Sequence, residues 1–287
     1  MRKYLILLIF ITLSCADSGY KQSIDNWHKE RIENLTKPDG WLTLVGLHWL
    51  EDSTKYECTN NGNQSTDYDL IEFDTKEKSH FGYFERIGDS IQFSKDNVSW
   101  KIINDDSQTN NLTILEQGAV KYYIIKRGKD YAIRVKDSLA ESRLNFKGIE
   151  RFPIDKDYII KARYHESDPP IYTKQMNMKG KMDEYFSPGV IVFKFKEKQY
   201  KILPIEYEDL DQWFIVFADL TNGESTYEAC RFLYIDKTDD QGNVILDFNK
   251  SYNPPCVYSD FATCPLPLPD NILQVKIEAG ERYNSHK

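Results

Sequence analysis

The residues best equipped for chemistry lie in the last third of the chain. Asp247 and Asn249 stand two apart in an alternating apolar run, so on a strand they project from one face, with Tyr252 and Asn253 just past its end. A second polar group, Asp219, Thr221, Thr226, Tyr227 and Arg231, precedes it by a few tens of residues and is a candidate to converge on the same place. Arg231 is suited to pair with Asp219 or Asp247, or to take a ligand carboxylate in bidentate fashion. Two readings stand side by side. In one, these side chains form turns, pin loops and make an internal ion pair. In the other they line a polar ligand pocket or a catalytic one, with Asp219 or Asp247 as acid or base and Arg231 as charge stabiliser.

Other chemistry is sparse. His28, His48, His80, His165 and His286 are scattered without an H-E-x-x-H spacing, so no His-based zinc site is indicated and no metal is expected. There is no G-x-G-x-x-G or other phosphate-cradling glycine loop, and no cofactor can be named. Gly223-Glu-Ser225-Thr-Tyr227 falls short of a G-x-S-x-G nucleophile elbow and lacks its strand-turn-helix setting. Trp41, Trp49, Trp100 and Trp213 could form a sugar-binding face, but aromatics in strands more often serve the core or cross-strand pairs.

The elements that must position these residues read as mostly β. Ile24, Trp27, Ile32 and Leu35 recur at near-helical spacing, with Ser23 as a cap and Pro38-Asp39-Gly40 as a stop, which predicts one amphipathic helix docked through Trp27. From Trp41 onward, short runs of aromatic and β-branched residues are broken by Gly, Asn and Asp about every ten residues, the rhythm of a sandwich or barrel. Hairpins are predicted about Gly88-Asp89, Arg127-Gly128-Lys129 and Glu197-Lys198. Further strands are expected at Tyr158 to Arg163, Trp213 to Ala218, Arg231 to Ile235, Val244 to Phe248 and Leu273 to Ile277. Strand density falls over Asp137 to Asp157 and at His165 to Pro170, and Thr59 to Tyr68 reads as an exposed loop.

The fold class expected is therefore all-β, with two sheet-rich units, sandwich or barrel-like, behind one N-terminal helix. Residues 15–22 read as a tether, 23–140 as the helix and an N-terminal β-sandwich, and 141–287 as a C-terminal β-rich unit.

Residues 1–14 read as an export signal: Arg2 and Lys3, an apolar run from Tyr4 to Leu13, then Ser14-Cys15. An apolar run of about ten residues is too short to cross a bilayer core, which needs about twenty. Leu13-Ser14-Cys15 resembles the lipobox of bacterial lipoproteins, with Thr12 where Leu is commoner. That resemblance implies lipidation of Cys15 and a cell-envelope location, the protein being attached to the membrane through its N-terminal lipid. The net charge of −8 becomes more negative once Arg2 and Lys3 are removed, and no basic run offsets it. Phosphate backbones would be repelled, so nucleic acid is not expected as a partner.

The block Leu246-Asp-Phe-Asn-Lys-Ser-Tyr-Asn-Pro-Pro-Cys256 continues through Ala262-Thr-Cys-Pro-Leu-Pro267, Asn271-Ile-Leu273 and Ala279-Gly-Glu281. Together with Gly40 to Leu50, Phe217-Ala-Asp219-Leu-Thr221, Thr226-Tyr227 and Arg231-Phe-Leu233, it resembles the DUF1684 family, a domain of unknown function, from about Trp27 to Tyr283. The resemblance brings no activity with it. Asn253-Pro254-Pro255 and Cys264-Pro265 remove backbone donors, so this segment needs a clamp other than a sheet ladder; a Cys256–Cys264 disulfide would supply one. The family tends to place Gly where Cys58 and Cys230 stand, which raises the alternative of a second bridge between them. The function expected is that of an envelope protein binding a small polar ligand, glycan or peptide, with a hydrolase-like site at the C-terminal block as the alternative.

Overall fold

The structure is a computed structural model that describes residues 2–59, 69–73, 75, 80–108 and 110–283, with side chains from Ser18 onward. Cys15 falls outside the described side chains, and so does nearly all of the loop expected at Thr59 to Tyr68.

One long helix, α1 (Arg2–Thr36), opens the chain. It runs unbroken through the stretch read as a tether. Ser23 lies inside it, its hydroxyl donating to the Tyr20 carbonyl instead of capping a helix start. Ile24 and Leu35 are buried, as their spacing requires. Gly40 closes the turn after α1 because a Cβ there would sit 2.3 Å from the Leu35 carbonyl oxygen.

Among the described residues nine strands follow: β1 (Leu44–Leu50), β2 (Thr54–Thr59), β3 (Asp69–Glu72), β4 (His80–Ile87), β5 (Ser90–Ser94), β6 (Lys101–Ile103), β7 (Leu115–Gln117), β8 (Val120–Arg127) and β9 (Asp130–Asp137). They form a sheet in the order β1-β9-β8-β7 and another in the order β3-β2-β4-β5-β6. The inner faces of the two share one core, including Tyr56, Phe81, Phe84, Tyr122, Ile124 and Ile133, which makes this unit a sandwich. Gly88 and Gly128 take the left-handed conformation their hairpin turns require.

A short helix, α2 (Glu141–Leu144), leads into β10 (Ile159–Met176), β11 (Met182–Phe195), β12 (Lys198–Ile202), β13 (Gln212–Phe217), β14 (Arg231–Asp236) and β15 (Asn243–Asp247). Four of these pair as β12-β11-β10-β15, and β13 pairs with β14. Their facing residues, among them Phe193, Ile215, Phe217, Leu233, Leu246 and Phe248, enclose a second core. The other face of β13–β14, with Phe214, Val216 and Phe232, packs with Leu44, Tyr185, Cys230 and Cys264, so the two units are joined through a third apolar cluster.

Three expectations are corrected. His165 to Pro170 is no gap: β10 runs through it, and the prolines fall where the β10–β11 register shifts between Glu166 and Ile171, a bulge that needs no ladder donor. The turn after β11 uses Lys196 and Glu197, both at positive φ, with Lys198 already in β12. Leu273 to Ile277 forms no strand. Leu273, Val275 and Ile277 alternate inward as strand residues do, but backbone pairing is confined to bonds with Ala218 and Leu220 at Leu273 and Val275, and beyond them the Ile277 carbonyl is taken by the Arg231 guanidinium at 2.8 Å.

Candidate functional site

The C-terminal block resolves into distinct clusters. Arg231 opens β14 and is fully buried against Asp219, which follows β13. Its guanidinium donates to Asp219 Oδ2 at 2.5 Å and to the carbonyls of Ala279 and Ile277, and it lies 5.2 Å from the Phe217 ring centre. Asp219 Oδ1 accepts from the Thr221 amide and hydroxyl, and Thr221 Oγ1 meets Thr226 Oγ1 at 2.9 Å. Burial pushes the Arg231 pKa down, and Asp219 opposes this. Tyr227 packs edge-on to Tyr283, and burial pushes its phenol up to about 12. Of the two partners open to Arg231, the fold chooses Asp219, and the pair lies in a packed interior with only the Arg231 Nε left without a partner.

Asp247 is elsewhere. It caps the turn after β15 by accepting from the Asn249 amide and receives the Tyr20 hydroxyl from α1 at 2.9 Å. Asn249 ties this corner to Asp155 on both backbone sides. Tyr252 and Asn253 join a third cluster. Glu281, buried, accepts from the Asn253 amide at 2.7 Å and from Arg31 of α1 at 3.2 Å, while Arg31 also reaches the Asn253 carbonyl and lies over the Tyr252 ring. Burial raises the Glu281 pKa, with Arg31 pulling it back. The nine sequence candidates are thus brought close along the chain's end but not around one gap. They lock α1 and the final extended segment to the sheets.

The expected disulfide is present, Cys256–Cys264 with a Cα separation of 6.2 Å. Cys58 and Cys230 are both free and buried, one in the sandwich core and the other in the joining cluster. The proposed bridge between them is corrected: each thiol fills space as a small apolar group, and burial pushes both up to about 12.

Two adjoining cavities lie along the second unit, and one of them reaches its seam with the first. A cavity of about 590 Å³ is lined by Tyr172, Phe186, Glu206, Tyr207, Glu208 and Lys237. A neighbour of about 530 Å³ is lined by Lys126, Arg127 and Gly128 of the first unit and by Asp183, Thr263 and Pro265 of the second. Glu184, Tyr185 and Tyr207 line both, so the two form one cleft. Tyr172 is largely exposed there and its ring lies 5.3 Å from that of Phe186. At the inner end, Arg127 and Arg134 both donate to Thr263 Oγ1, at 3.2 and 3.0 Å. The residues of this cleft were not singled out in the sequence. Thr263 sits between Ala262 and Cys264 with nothing local to mark it, and the signal for Arg134 is a lone cation inside the apolar run Tyr131 to Val135. Among the described residues, no group of three His, Cys, Asp or Glu side chains is placed to hold a metal ion.

Residues 144–282 match the model of a family described as a protein of unknown function, DUF1684, which supports the family resemblance over the C-terminal unit. A solution NMR structure of an uncharacterized protein from Haloarcula marismortui is similar to this chain at 26% identity and a TM-score of 0.43, the match covering 50% of this chain and 81% of the other. No curated protein matches.

Proposed function

We propose that the protein is a binding protein of the cell envelope, anchored by a lipid on Cys15, that holds a small polar ligand, glycan or peptide in a cleft of its second unit that reaches the seam with the first. The observation carrying this reading is the cleft itself: adjoining cavities of about 590 and 530 Å³ that share Glu184, Tyr185 and Tyr207. Seams between units are favoured places for ligands, and exposed aromatic rings beside a few polar groups suit a hydroxyl-rich or peptide surface. The hydrolase alternative built on Asp219, Arg231 and Asp247 has no common pocket to work in, because the first two consume one another's hydrogen bonds and Asp247 is bonded to Tyr20.

Ligand-observed NMR of the mature chain against neutral and charged oligosaccharides and short peptides tests the binding. Tyr172→Ala and Tyr207→Ala should abolish the signal of any ligand found while leaving the melting temperature nearly unchanged; equal signal in wild type and both variants refutes the cleft. Metabolic labelling with a fatty-acid analogue tests the anchor. It should mark wild type and miss Cys15→Ala, and equal labelling of the two ends that part of the proposal.

A further inference from the structure

Arg134 is 3% exposed. It sits on β9, whose Ile133 and Val135 point into the sandwich core, so its side chain leaves by the opposite face. There it donates to Thr263 Oγ1 at 3.0 Å and lies over the Trp41 ring, while its Nε has no partner. Among the described residues, no carboxylate makes an ion pair with it. Its charge is supported at a distance by Asp106, which pairs with Arg127, and by the Tyr123 side chain; a buried cation with no direct ion pair is expensive to hold.

Arg127, at the end of β8, reaches the same hydroxyl at 3.2 Å and lines the 530 Å³ cavity. It carries one acid partner, Asp106, at 2.9 Å. Lys126 and the Gly128 backbone line the same end. Asp183 and Glu184 are the acids across the cavity; Asp183 accepts from the Asn177 amide group at 3.0 Å, and Glu184 pairs with Lys174 at 2.8 Å. The chain as a whole is acidic at −8; at this end Lys126 and Arg127 line the cavity and Arg134 stands behind Thr263. Thr263 directly precedes the disulfide residue Cys264, which fixes the hydroxyl between the two guanidinium groups.

Resting on the cleft reading above, we propose that this inner end is an anion subsite: Arg127 contacts a carboxylate or phosphate of the ligand, and Arg134 supplies positive charge from behind Thr263. The ligand class is then an acidic saccharide or a phosphorylated one. Guanidinium groups match both oxyanions in bidentate geometry, and a partly closed cavity screens the attraction less than bulk water does.

Isothermal titration of the mature chain with trigalacturonate, neutral galactotriose and inorganic phosphate tests this. Trigalacturonate is expected to bind at least about ten-fold more tightly than galactotriose, the scale of one charge-assisted contact. Arg127→Met should erase that preference while leaving galactotriose binding unchanged. Arg134→Met should also weaken trigalacturonate without lowering the melting temperature, since removing an unpaired buried charge need not destabilise. Phosphate binding that is lost in Arg127→Met, with no preference for the acidic sugar, assigns the site to a phosphorylated ligand and supports the subsite. Galactotriose bound through Tyr207 with no charge preference and no phosphate binding overturns the subsite but spares the cleft. No binding of any of the three overturns the subsite, and the NMR panel then decides the cleft.

Discussion

Replacing Asp219 by alanine leaves the fully buried Arg231 with two backbone carbonyls and no carboxylate in direct contact, Glu281 acting only at a distance. Breaking a buried pair by removing one member costs about 3–5 kcal/mol, chiefly for the stranded ion. The Thr221 amide and hydroxyl lose their acceptor as well, adding about 1 kcal/mol or more. For a protein of this size that corresponds to a fall of roughly 8–20 °C in melting temperature. Urea unfolding followed by tryptophan fluorescence reads the change, with an unaltered slope confirming that the same surface is exposed. The double variant Asp219→Leu with Arg231→Met removes both charges and should recover at least about half of the loss. A loss below about 1 kcal/mol for Asp219→Ala, or a double variant as unstable as the sum of the single ones, would refute the structural role assigned to this pair.

Three more outcomes are expected. Glu281 has its pKa raised by burial above the ordinary 4.5, so the folded state binds a proton that the unfolded state has released. Its contribution is therefore complete below about pH 4.5 and is lost as pH rises through the folded value; the stability of Glu281→Gln, measured by urea from pH 4 to 7, should lack that decline. Opening the Cys256–Cys264 bridge by Cys→Ser at both positions should cost about 2.5 kcal/mol for so short a loop, while Cys58 and Cys230 stay unalkylated in the native state and react once unfolded, as mass spectrometry will show. Gly40→Ala forces a methyl against the Leu35 and Asn34 carbonyl oxygens; a loss of about 1–3 kcal/mol is expected, and unchanged stability would mean that the turn after α1 relaxes freely.

The strand rhythm was legible in residue type: Ile91 and Phe93 of β5 alternate with polar neighbours, while Trp213 to Phe217 of β13 form a continuous apolar run buried on both faces. What alternation cannot show is which backbone lies alongside. Leu273 to Ile277 has the pattern of a strand, and only the fold reveals that a guanidinium occupies the neighbouring place. The pairing of Cys256 with Cys264 was readable from the prolines around them, whereas Cys58 and Cys230 are separated by packing that no local pattern records. The Asp219–Arg231 pair was foreseeable as one of two alternatives. The cleft was not: its walls come from β8, β11 and the segment around Thr263, separated from one another by long stretches of chain, and each contributes side chains unexceptional in its own stretch.

The bond from Tyr20 to Asp247 bears on reach. Tyr20 is held on the body of the protein, and Cys15 stands five residues before it along a continuous helix, about 8 Å of axial rise. Even pulled straight, that stretch spans less than about 20 Å. A protein acylated at Cys15, as proposed, has no leash on which to roam. It would ride low over the bilayer at a fixed attitude, and would meet only what passes within a molecular diameter of the lipid surface.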